Sequence, residues 1–504
     1  MRGLLRSACI LVGVMAGPMV GAAPMVVGGE LSLFVDHQLI DRLENAQLIL
    51  GQPQPREVAL RFDEPWEKAA NYVTVLKDGN IYRMYYRGCA MTPDGEFDPH
   101  SEVTCYAESH DGISWTKPKL GLQEFNGRRD NNIILGPNLR RVSHNFAPFL
   151  DDRPGVPPTE RYKAVGGVFD DNSGQIVARG QRGSSGGLFR YVSADGIHWN
   201  PFSDDPIFSG YALDSQNCLA WIPAEGAYAI YLRTWSEGGT PEQPVFRGYR
   251  TISRAVSTDF RTWSKPVRMN FGSSPPENLY TNGTHGYFRN PNLLVALAFR
   301  FSPERKVVSD ADEARFGVHH TQAKGVSDAV FMTSRGGNSY DRTFMESFIR
   351  PGLDLRSWTA RSNAPALGVV PTGANEMSLY LVTHYTMPDC QLRRFVLRTD
   401  GFASIRAPYA GGSALTKPFT FTGNKLVINY STSSVGSLRV EILSEAGQPL
   451  PGFAAQDCQE IVGDELAHTV TWGNRAKVNQ LTGRPVRLKF ILKDADLYSF
   501  QFQP

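Results

Sequence analysis

The sequence has little cysteine, and none of it lies in a spacing typical of a metal site. Six cysteines occur in 504 residues, with no CxxC pair and no His/Cys cluster at structural-zinc spacing. We therefore predict no metal-ligating residues. Cys89 and Cys105 flank a predicted loop and would close a hairpin if oxidised. The alternative is a set of five buried free thiols, namely Cys89, Cys105, Cys218, Cys390 and Cys458.

A surplus of charge of either sign is also lacking. The chain has 52 Lys and Arg against 50 Asp and Glu, and two of the arginines lie in residues 1–23. Broad binding to nucleic acid shows as a basic surplus, so a nucleic-acid partner is not expected. No GxGxxG or P-loop follows a predicted strand, so no nucleotide cofactor is expected. A divalent ion in a central funnel stays open, because no sequence signature decides it.

Long hydrophobic runs are missing beyond the N-terminus. Residues 1–23 combine Arg2 and Arg6 with an apolar stretch over 8–20 and small residues at 21–23, which is typical of a secretory signal peptide. The apolar stretch is short for a membrane span, although an uncleaved anchor is the alternative. We expect export, with the mature protein secreted or periplasmic and without a membrane span.

A sustained helical period is missing too, whereas a five-fold repeat is present. Five segments share a Ser-x-Asp-Gly-x-x-Trp type of pattern, and each follows a short run rich in β-branched and aromatic residues. Asp-Gly after a strand predicts a tight turn, because glycine tolerates positive φ. The segments start 84, 64, 77 and 64 residues apart, a spacing typical of propeller blades. They occupy residues 109–115, 193–199, 257–263, 334–340 and 398–402.

These repeats predict an all-β protein with a five-bladed β-propeller over residues 30–410. Segment 31–62 is expected to supply the closing strand of the last blade. After about residue 411 the repeat stops, and alternating runs separated by turns follow. This pattern predicts a β-sandwich accessory domain over residues 411–504.

Polar residues occur where the inner strand of each predicted blade begins. We expect them to point into a shared funnel, where a packed core would carry aliphatic side chains. The five positions are Asn71, Asn145, Asp214, Asn282 and Glu376. Such a concentration of hydrogen-bonding groups indicates a pocket for a polyhydroxylated ligand.

The two carboxylates of this set, Asp214 and Glu376, are the predicted catalytic pair. Glycoside hydrolysis usually needs a carboxylic acid and a base or nucleophile, about 5–5.5 Å apart for retention and about 6.5–9.5 Å for inversion. No GxSxG motif offers a serine nucleophile instead. The alternative interpretation is that Asp214 caps a turn and Glu376 forms a structural ion pair. If no two carboxylates face one pocket within about 10 Å, the paired-carboxylate route fails.

Further polar and basic residues around these positions are predicted to bind the sugar. Arginine can hold a sugar carboxylate or sulfate bidentately, although structural arginines are the commoner case. Asp328 is expected in a third strand, farther from the axis, and Glu277 at the pocket rim. His384 is either structural or a general acid. The predicted binding residues are Asn71, His144, Asn145, Gln216, Asn217, Arg233, Glu277, Asn282, Arg289, Asp328, Arg350 and His384.

The turn repeats in five blades resemble the propeller glycosidases of families 32, 43, 68 and 117. Segments 213–217, 277–282, 348–354 and 376–380 also resemble a group of exported glycosidase-like proteins common in planctomycete-type bacteria. The resemblance covers roughly residues 30–504. It implies a carbohydrate-active protein whose partner is an oligosaccharide or polysaccharide.

One departure from family 43 bears on the mechanism. The resemblance implies Asp as base in blade one, Asp in blade two and Glu as acid in blade three. This sequence has Asn71, Asn145 and Asp214 there, so the family's machinery is not carried over. Three functions stay open: an exo-acting glycoside hydrolase, a non-catalytic glycan-binding propeller, and a glycoside phosphorylase. The last would need several basic residues converging beside the acid.

Overall fold

The computed structural model describes residues 24–98, 101–137, 144–167 and 187–504. The predicted signal peptide, residues 1–23, lies outside the described residues. Strands dominate, and the described part of the chain contains one α-helix, Asp310–Phe316. Short 3-10 turns lie at Pro65–Glu67, Pro158–Glu160, Pro223–Glu225, His320–Gln322, Leu355–Trp358 and Asn479–Leu481. In the described residues, no helix is long and apolar enough to cross a membrane.

Five antiparallel sheets follow one another along the chain and form the five blades of a propeller. Blade one contains Asn71–Asp78, Ile81–Gly88, Val103–Ser109 and Ile133–Leu135. Blade two contains Ala147–Leu150, Tyr162–Gly166, Gly187–Ser193, Asn200–Pro201 and Phe208–Ser209. Blade three contains Cys218–Ile222, Ala227–Thr240, Gln243–Ser257 and Val267–Arg268. The predicted five-blade arrangement is confirmed.

The last two blades have interrupted inner strands. In blade four the inner strand is split into Leu279–Thr281 and Thr284–Tyr287, followed by Asn290–Ser302 and Val326–Ser334. Blade five contains Ala364–Pro365, Val370–Pro371, Glu376–Thr383, Gln391–Arg398 and Gln54–Arg61. The last of these strands comes from before blade one, so the predicted closure of the propeller by segment 31–62 is confirmed for Gln54–Arg61.

The predicted inner strand of blade five is wrong. Glu376–Thr383 is the second strand, because it pairs on its axial side with Ala364–Pro365 and Val370–Pro371. These two short, proline-containing pieces form the true inner strand. Proline cannot donate to a ladder, so the inner strand is broken into pieces too short to show an alternating pattern. Glu376 therefore does not occupy the position equivalent to Asp214.

The first three of the repeated turns are held by their serine and aspartate. In the first, Asp111 Oδ1 accepts the N–H groups of Ile113 (2.7 Å) and Ser114 (2.8 Å), and Ser109 Oγ accepts the Gly112 N–H at 2.8 Å. Burial opposes ionisation of Asp111, but these hydrogen bonds bring its pKa down to about 2. Trp115 Nε1 donates back to the Gly112 carbonyl at 3.2 Å. The sequence pattern is thus a self-contained turn that ends the third strand.

A separate ten-stranded sheet combines strands from both ends of the chain. Its core contains Phe419, Phe490, Phe500 and Phe502, all at most 1% exposed. Burying each such ring stabilises the fold by about 1.5–3 kcal/mol. The strands are Met25–Gly28, Ser32–Leu33, Ile40–Glu44, Gln47–Leu50, Ala403–Ala407, Gly412–Thr416, Phe419–Phe421, Lys425–Ser444, Asp464–Thr469 and Val486–Gln503. The interpretation of residues 411–504 as a β-sandwich accessory domain, and the proposed domain boundaries, stay predictions.

The five cysteines of the described chain are buried free thiols. The alternative of a disulfide between Cys89 and Cys105 is therefore wrong for this structure. Burial raises the pKa of the Cys89 thiol to about 11, so it stays protonated at neutral pH.

Candidate functional site

The inner strands begin at one face of the propeller, which we call the mouth face. Segment 213–217 precedes the inner strand of blade three there. Gln216 Nε2 reaches across the axis to the Val73 carbonyl (3.1 Å) and Thr74 Oγ1 (3.0 Å) of blade one. The Gln216 side chain therefore spans the funnel between blades three and one. The side chain of Asp214, two residues earlier, is 25% exposed. Asp214 is thus the accessible acid at the start of this strand.

A histidine between two acids sets the charge at the mouth face. His144 lies with Nδ1 2.8 Å from Glu102 Oε1 and Nε2 3.0 Å from Asp214 Oδ1. Burial by itself would lower the pKa of His144, but the two carboxylates outweigh it and raise that pKa to about 9. In turn, His144 and Arg87 lower the pKa of Glu102 in spite of its burial. At neutral pH the three side chains form a chain of carboxylate, imidazolium and carboxylate.

Four arginines converge on two tyrosines beside this chain. The guanidinium carbon of Arg87 lies 4.6 Å from the ring centroid of Tyr72. The corresponding distances to the Tyr280 ring are 4.9 Å for Arg250, 5.3 Å for Arg361 and 5.8 Å for Arg233. These distances are within the range of cation–π attraction. The arginines come from blades one, three and five, so the propeller brings them together from distant parts of the sequence.

Most of this positive charge lacks an acidic partner. Within the described chain no carboxylate forms an ion pair with Arg233, Arg250 or Arg361. Arg233 donates to the Ala212 carbonyl at 3.0 and 3.1 Å, and Arg250 Nε is buried without a hydrogen-bond partner. Burying unpaired cations is costly. An anionic ligand would compensate them.

The two tyrosines respond differently to these charges. Burial raises the pKa of Tyr72 well above its usual range. Burial and Asp214 also oppose ionisation of Tyr280, but Arg361, Arg233 and Arg250 outweigh them, and the pKa of Tyr280 is lowered. Tyr280 is therefore the phenol more easily deprotonated of the two.

Several of the predicted site residues meet at this position. Asp214 and His144 are joined directly, and Asn145 lies beside them, with its Nδ2 3.0 Å from His144 Nε2. Arg87 bridges to them by donating to Asn145 Oδ1 at 3.3 Å. Arg233 joins the arginine cluster. Whether these residues bind or cleave a sugar stays a prediction.

Other predicted residues at the mouth face are tied to backbone groups. Asn71 Oδ1 accepts the Tyr72 N–H at 2.8 Å, which supports the positive φ of 54° at Tyr72. Asn217 donates to the carbonyls of Leu213 and Ser215, and Asn282 donates to the Tyr231 carbonyl. Together with Gln216, these amides are 3% exposed or less. In this structure they shape the funnel.

The predicted pair of Asp214 and Glu376 is not brought together. Glu376 begins the second strand of blade five, which runs towards the mouth face and ends there at Thr383. Eight residues of strand span roughly 25 Å, so Glu376 lies near the opposite face. Arg394 Nη1 donates to its carboxylate at 3.0 Å, as in the structural ion pair considered above. A distance on this scale is larger than the carboxylate separation of about 5–5.5 Å in retaining glycosidases or about 6.5–9.5 Å in inverting ones.

Three further predicted residues form ion pairs. Arg289 follows the inner strand of blade four, at the end away from the mouth, and pairs with Asp400 at 2.5 Å. Asp328 lies in the third strand of blade four, as predicted. Arg300 joins Asp328 (2.6 Å) to Glu277 (2.8 Å). Arginines therefore pair with all three of these acids, Asp400, Asp328 and Glu277.

The last two predicted residues, Arg350 and His384, line a groove on the outer side of blade five. The groove has a volume of about 700 Å³ and is also lined by Phe348, Phe395 and Pro55. His384 lies between Asp389 (2.9 Å) and Asp354 (3.0 Å). The His384 ring is thus held between two aspartates.

Sequence reasoning missed the residues Arg87, Glu102, Arg250, Tyr280 and Arg361. The blade repeat contains part of the information that locates the arginines. Arg87, Arg233 and Arg300 all lie in second strands near the mouth face of their blades. Aligning the ends of the second strands, as well as the starts of the inner strands, would have indicated a basic mouth face.

Comparisons with known proteins bear on the fold. No protein-family model matches the sequence, and no curated protein matches it either. Among solved structures, it is similar to a protein titled a glycoside hydrolase, with 14% identity, coverage of 69% of this chain and 92% of that chain, and a TM-score of 0.45.

Two other solved structures are similar at the same level. An N-acetylgalactosamine deacetylase from F. plautii, in complex with blood group B trisaccharide, is 12% identical, with coverage of 70% and 96% and a TM-score of 0.41. An exo-β-1,3-galactanase from Phanerochaete chrysosporium is 10% identical, with coverage of 88% and 100% and a TM-score of 0.36. Identities and scores this low do not indicate a substrate for this chain.

Proposed function

We propose that the protein is an exported enzyme that cleaves a glycosidic bond in a glycan carrying an anionic group. The observation that supports this best is the convergence of Arg233, Arg250 and Arg361 on Tyr280 beside Asp214. Export rests on the signal-peptide pattern of residues 1–23.

The charge balance supports an anionic ligand. The side chains that contact Tyr72, Tyr280 or His144 include four arginines and the imidazolium itself, against the two acids Glu102 and Asp214. Among the described residues, five positive against two negative charges leave an excess of three. A carboxylate or sulfate on the sugar would form charge-assisted, bidentate hydrogen bonds with such guanidinium groups. A neutral glycan would leave the excess charge buried and uncompensated.

Asp214 is the group we assign to proton transfer. Its carboxylate is accessible, and the His144 imidazolium beside it favours the ionised form. An ionised carboxylate can act as a base or stabilise an oxocarbenium-like transition state. Some glycosidases use a tyrosine as nucleophile, and the three arginines beside Tyr280 lower the pKa of its phenol. We therefore assign Asp214 as base or acid and Tyr280 as the candidate nucleophile.

A glycoside phosphorylase is the second candidate. A phosphorylase needs several basic residues beside the catalytic acid, and the same arginines lie beside Asp214. In that reaction, inorganic phosphate takes the place of water and the product is a sugar phosphate. The two candidates differ in whether turnover depends on phosphate.

The test is a substrate screen with and without inorganic phosphate. Neutral, uronate-containing and sulfated oligosaccharides would be incubated with the mature protein, and released sugar and sugar phosphate measured. We expect turnover of anionic substrates, and a loss of roughly 10- to 100-fold in kcat/KM in Arg361→Met, because one charge-assisted hydrogen bond contributes about 1.5–3 kcal/mol. The exposed Arg484 offers the matched control, Arg484→Met.

Three results would count against the proposal. Equal turnover of neutral substrates would remove the role of the arginines. Full activity in Asp214→Asn would remove Asp214 from the reaction. Binding of anionic glycans without any turnover would instead support a non-catalytic glycan-binding propeller.

A further inference from the structure

Two histidines and a glutamate converge at the mouth face, away from His144 and Asp214. Glu96 lies in the loop between the second and third strands of blade one. His319 and His320 lie in the segment between the second and third strands of blade four. Glu96 Oε2 is 3.4 Å from His319 Nε2, and Glu96 Oε1 is 3.4 Å from His320 Nδ1. One ligand atom from each of the three residues lies within 4.8 Å of the others.

The spacing fits a metal ion better than it fits hydrogen bonds. An N–H···O hydrogen bond is usually 2.7–3.2 Å long. Two ligand atoms that are each about 2.1 Å from one tetrahedral Zn²⁺ ion are about 3.4 Å apart. Both His–Glu distances have this value, one to each oxygen of the Glu96 carboxylate.

His319 is oriented as a metal ligand. Its side chain is 4% exposed, and its Nε2 atom is buried without a hydrogen-bond partner in the described part of the chain. Its Nδ1 atom lies 2.8 Å from Thr321 Oγ1. The Thr321 N–H also points at Nδ1, at 3.3 Å, so coordination through Nε2 requires the tautomer in which Nδ1 carries the proton and donates it to the Thr321 hydroxyl oxygen instead.

The surroundings hold the site in place. The His319 ring stacks against Phe97, with centroids 4.4 Å apart, and against His320, also at 4.4 Å. Phe97 packs on a small buried cluster of Ala69, Cys89 and Tyr385. The His319 N–H donates to Thr386 Oγ1 at 3.4 Å, which ties the blade-four segment to blade five. An ion here would join blade one to this segment beside the funnel.

We propose that Glu96, His319 and His320 bind one divalent transition-metal ion, and that Zn²⁺ fits the donor set best. Two imidazole nitrogens and one carboxylate oxygen are a donor set found in zinc sites that keep a fourth position open for water. The ligand spacing of a zinc site cannot be recognised in the sequence, because more than two blades separate Glu96 from the histidines. This site is independent of the function proposed for Asp214.

The test is Zn²⁺ binding to the whole mature protein after removal of metal with a chelator. Calorimetric titration and metal analysis should give one ion per chain, and Co²⁺ in its place should show the visible absorption of tetrahedral coordination. We expect Glu96→Gln and His320→Ala to weaken Zn²⁺ binding more than about tenfold. Both side chains are largely exposed, so these variants should fold as the wild type does.

The matched control is His198→Ala. His198 is as exposed as His320 and lies 2.7 Å from Asp195 in an unrelated His–carboxylate pair. Retained binding in this variant, with loss in Glu96→Gln, would support the site. No stoichiometric binding by the wild type, or equal affinity in all variants, would overturn it. His319→Gln, with folding checked by circular dichroism, tests the buried ligand in the same way.

Discussion

The replacement Glu102→Gln tests the charge arrangement around His144. In the wild type, the pKa of His144 is raised to about 9 against burial, by Glu102 and then Asp214. A rise from 6.5 to about 9 corresponds to about 3 kcal/mol of preference for the imidazolium, at 1.36 kcal/mol per pKa unit. Without the Glu102 charge, burial opposes the imidazolium with only Asp214 left to favour it. We expect the pKa of His144 to fall by at least about one unit.

The measurement is a histidine titration by ¹H–¹⁵N NMR, with the His144 signals assigned from a His144→Gln variant. Glu465→Gln is the control, because Glu465 pairs with His468 on the surface at 2.9 Å and should leave His144 unchanged. A wild-type pKa of His144 near or below 6.5 would refute the reasoning. An unchanged pKa in Glu102→Gln would show that another group holds the charge.

The same shift has a consequence for stability against pH. A pKa raised in the folded state contributes stability that is fully present below the unfolded value of about 6.5 and is lost as the pH rises through about 9. The lowered pKa of Glu102 works in the other direction, and its contribution is lost as the pH falls through the acidic range. Denaturant unfolding should therefore show His144-dependent destabilisation between about pH 6.5 and 9, which is absent in His144→Gln.

Three further outcomes are expected. Tyr280→Phe and Asp214→Asn should each lower kcat by roughly 10²- to 10⁴-fold on an anionic substrate, whereas equal rates would exclude the assigned roles. Glu376→Gln should keep kcat within about threefold, because Glu376 lies near the opposite face; a large loss in the rate assay would restore the sequence-based pair. Asp400→Ala should lower the free energy of unfolding by about 3 kcal/mol or more, measured with denaturant, because its fully buried carboxylate pairs with Arg289.

The fold could be predicted because its signal is local and repeated. The first three repeated turns are each stabilised within seven residues, as the N–H groups that Asp111 and Ser109 accept show for the first, so the pattern can be recognised in the local sequence. Blade five lacks such a local signal in its inner strand. This strand consists of Ala364–Pro365 and Val370–Pro371, which carry no alternation, so the sequence pattern wrongly predicts the next strand as the inner one.

The candidate site could be predicted only in part, because its chemistry arises from contacts between blades. Asp214 and His144 were found from their position before an inner strand. Arg250 and Arg361 lie in a third strand and in a loop before blade five, and nothing in their local sequence marks them. Arg250 and Arg361 belong to the candidate site because both contact the ring of Tyr280, and only the closed propeller brings the three residues together.

The asparagines at the mouth face also favour an anionic ligand. Asn71 Oδ1 accepts the Tyr72 N–H, a bond that an aspartate could also form, so the backbone geometry does not require the amide. Replacing an acid by an amide at this position keeps the turn and removes one negative charge. Asn145 likewise accepts from Arg87 without neutralising it. With acids at these two positions, the excess of three positive charges would shrink to one. The amides therefore preserve the positive potential that an anionic ligand would need.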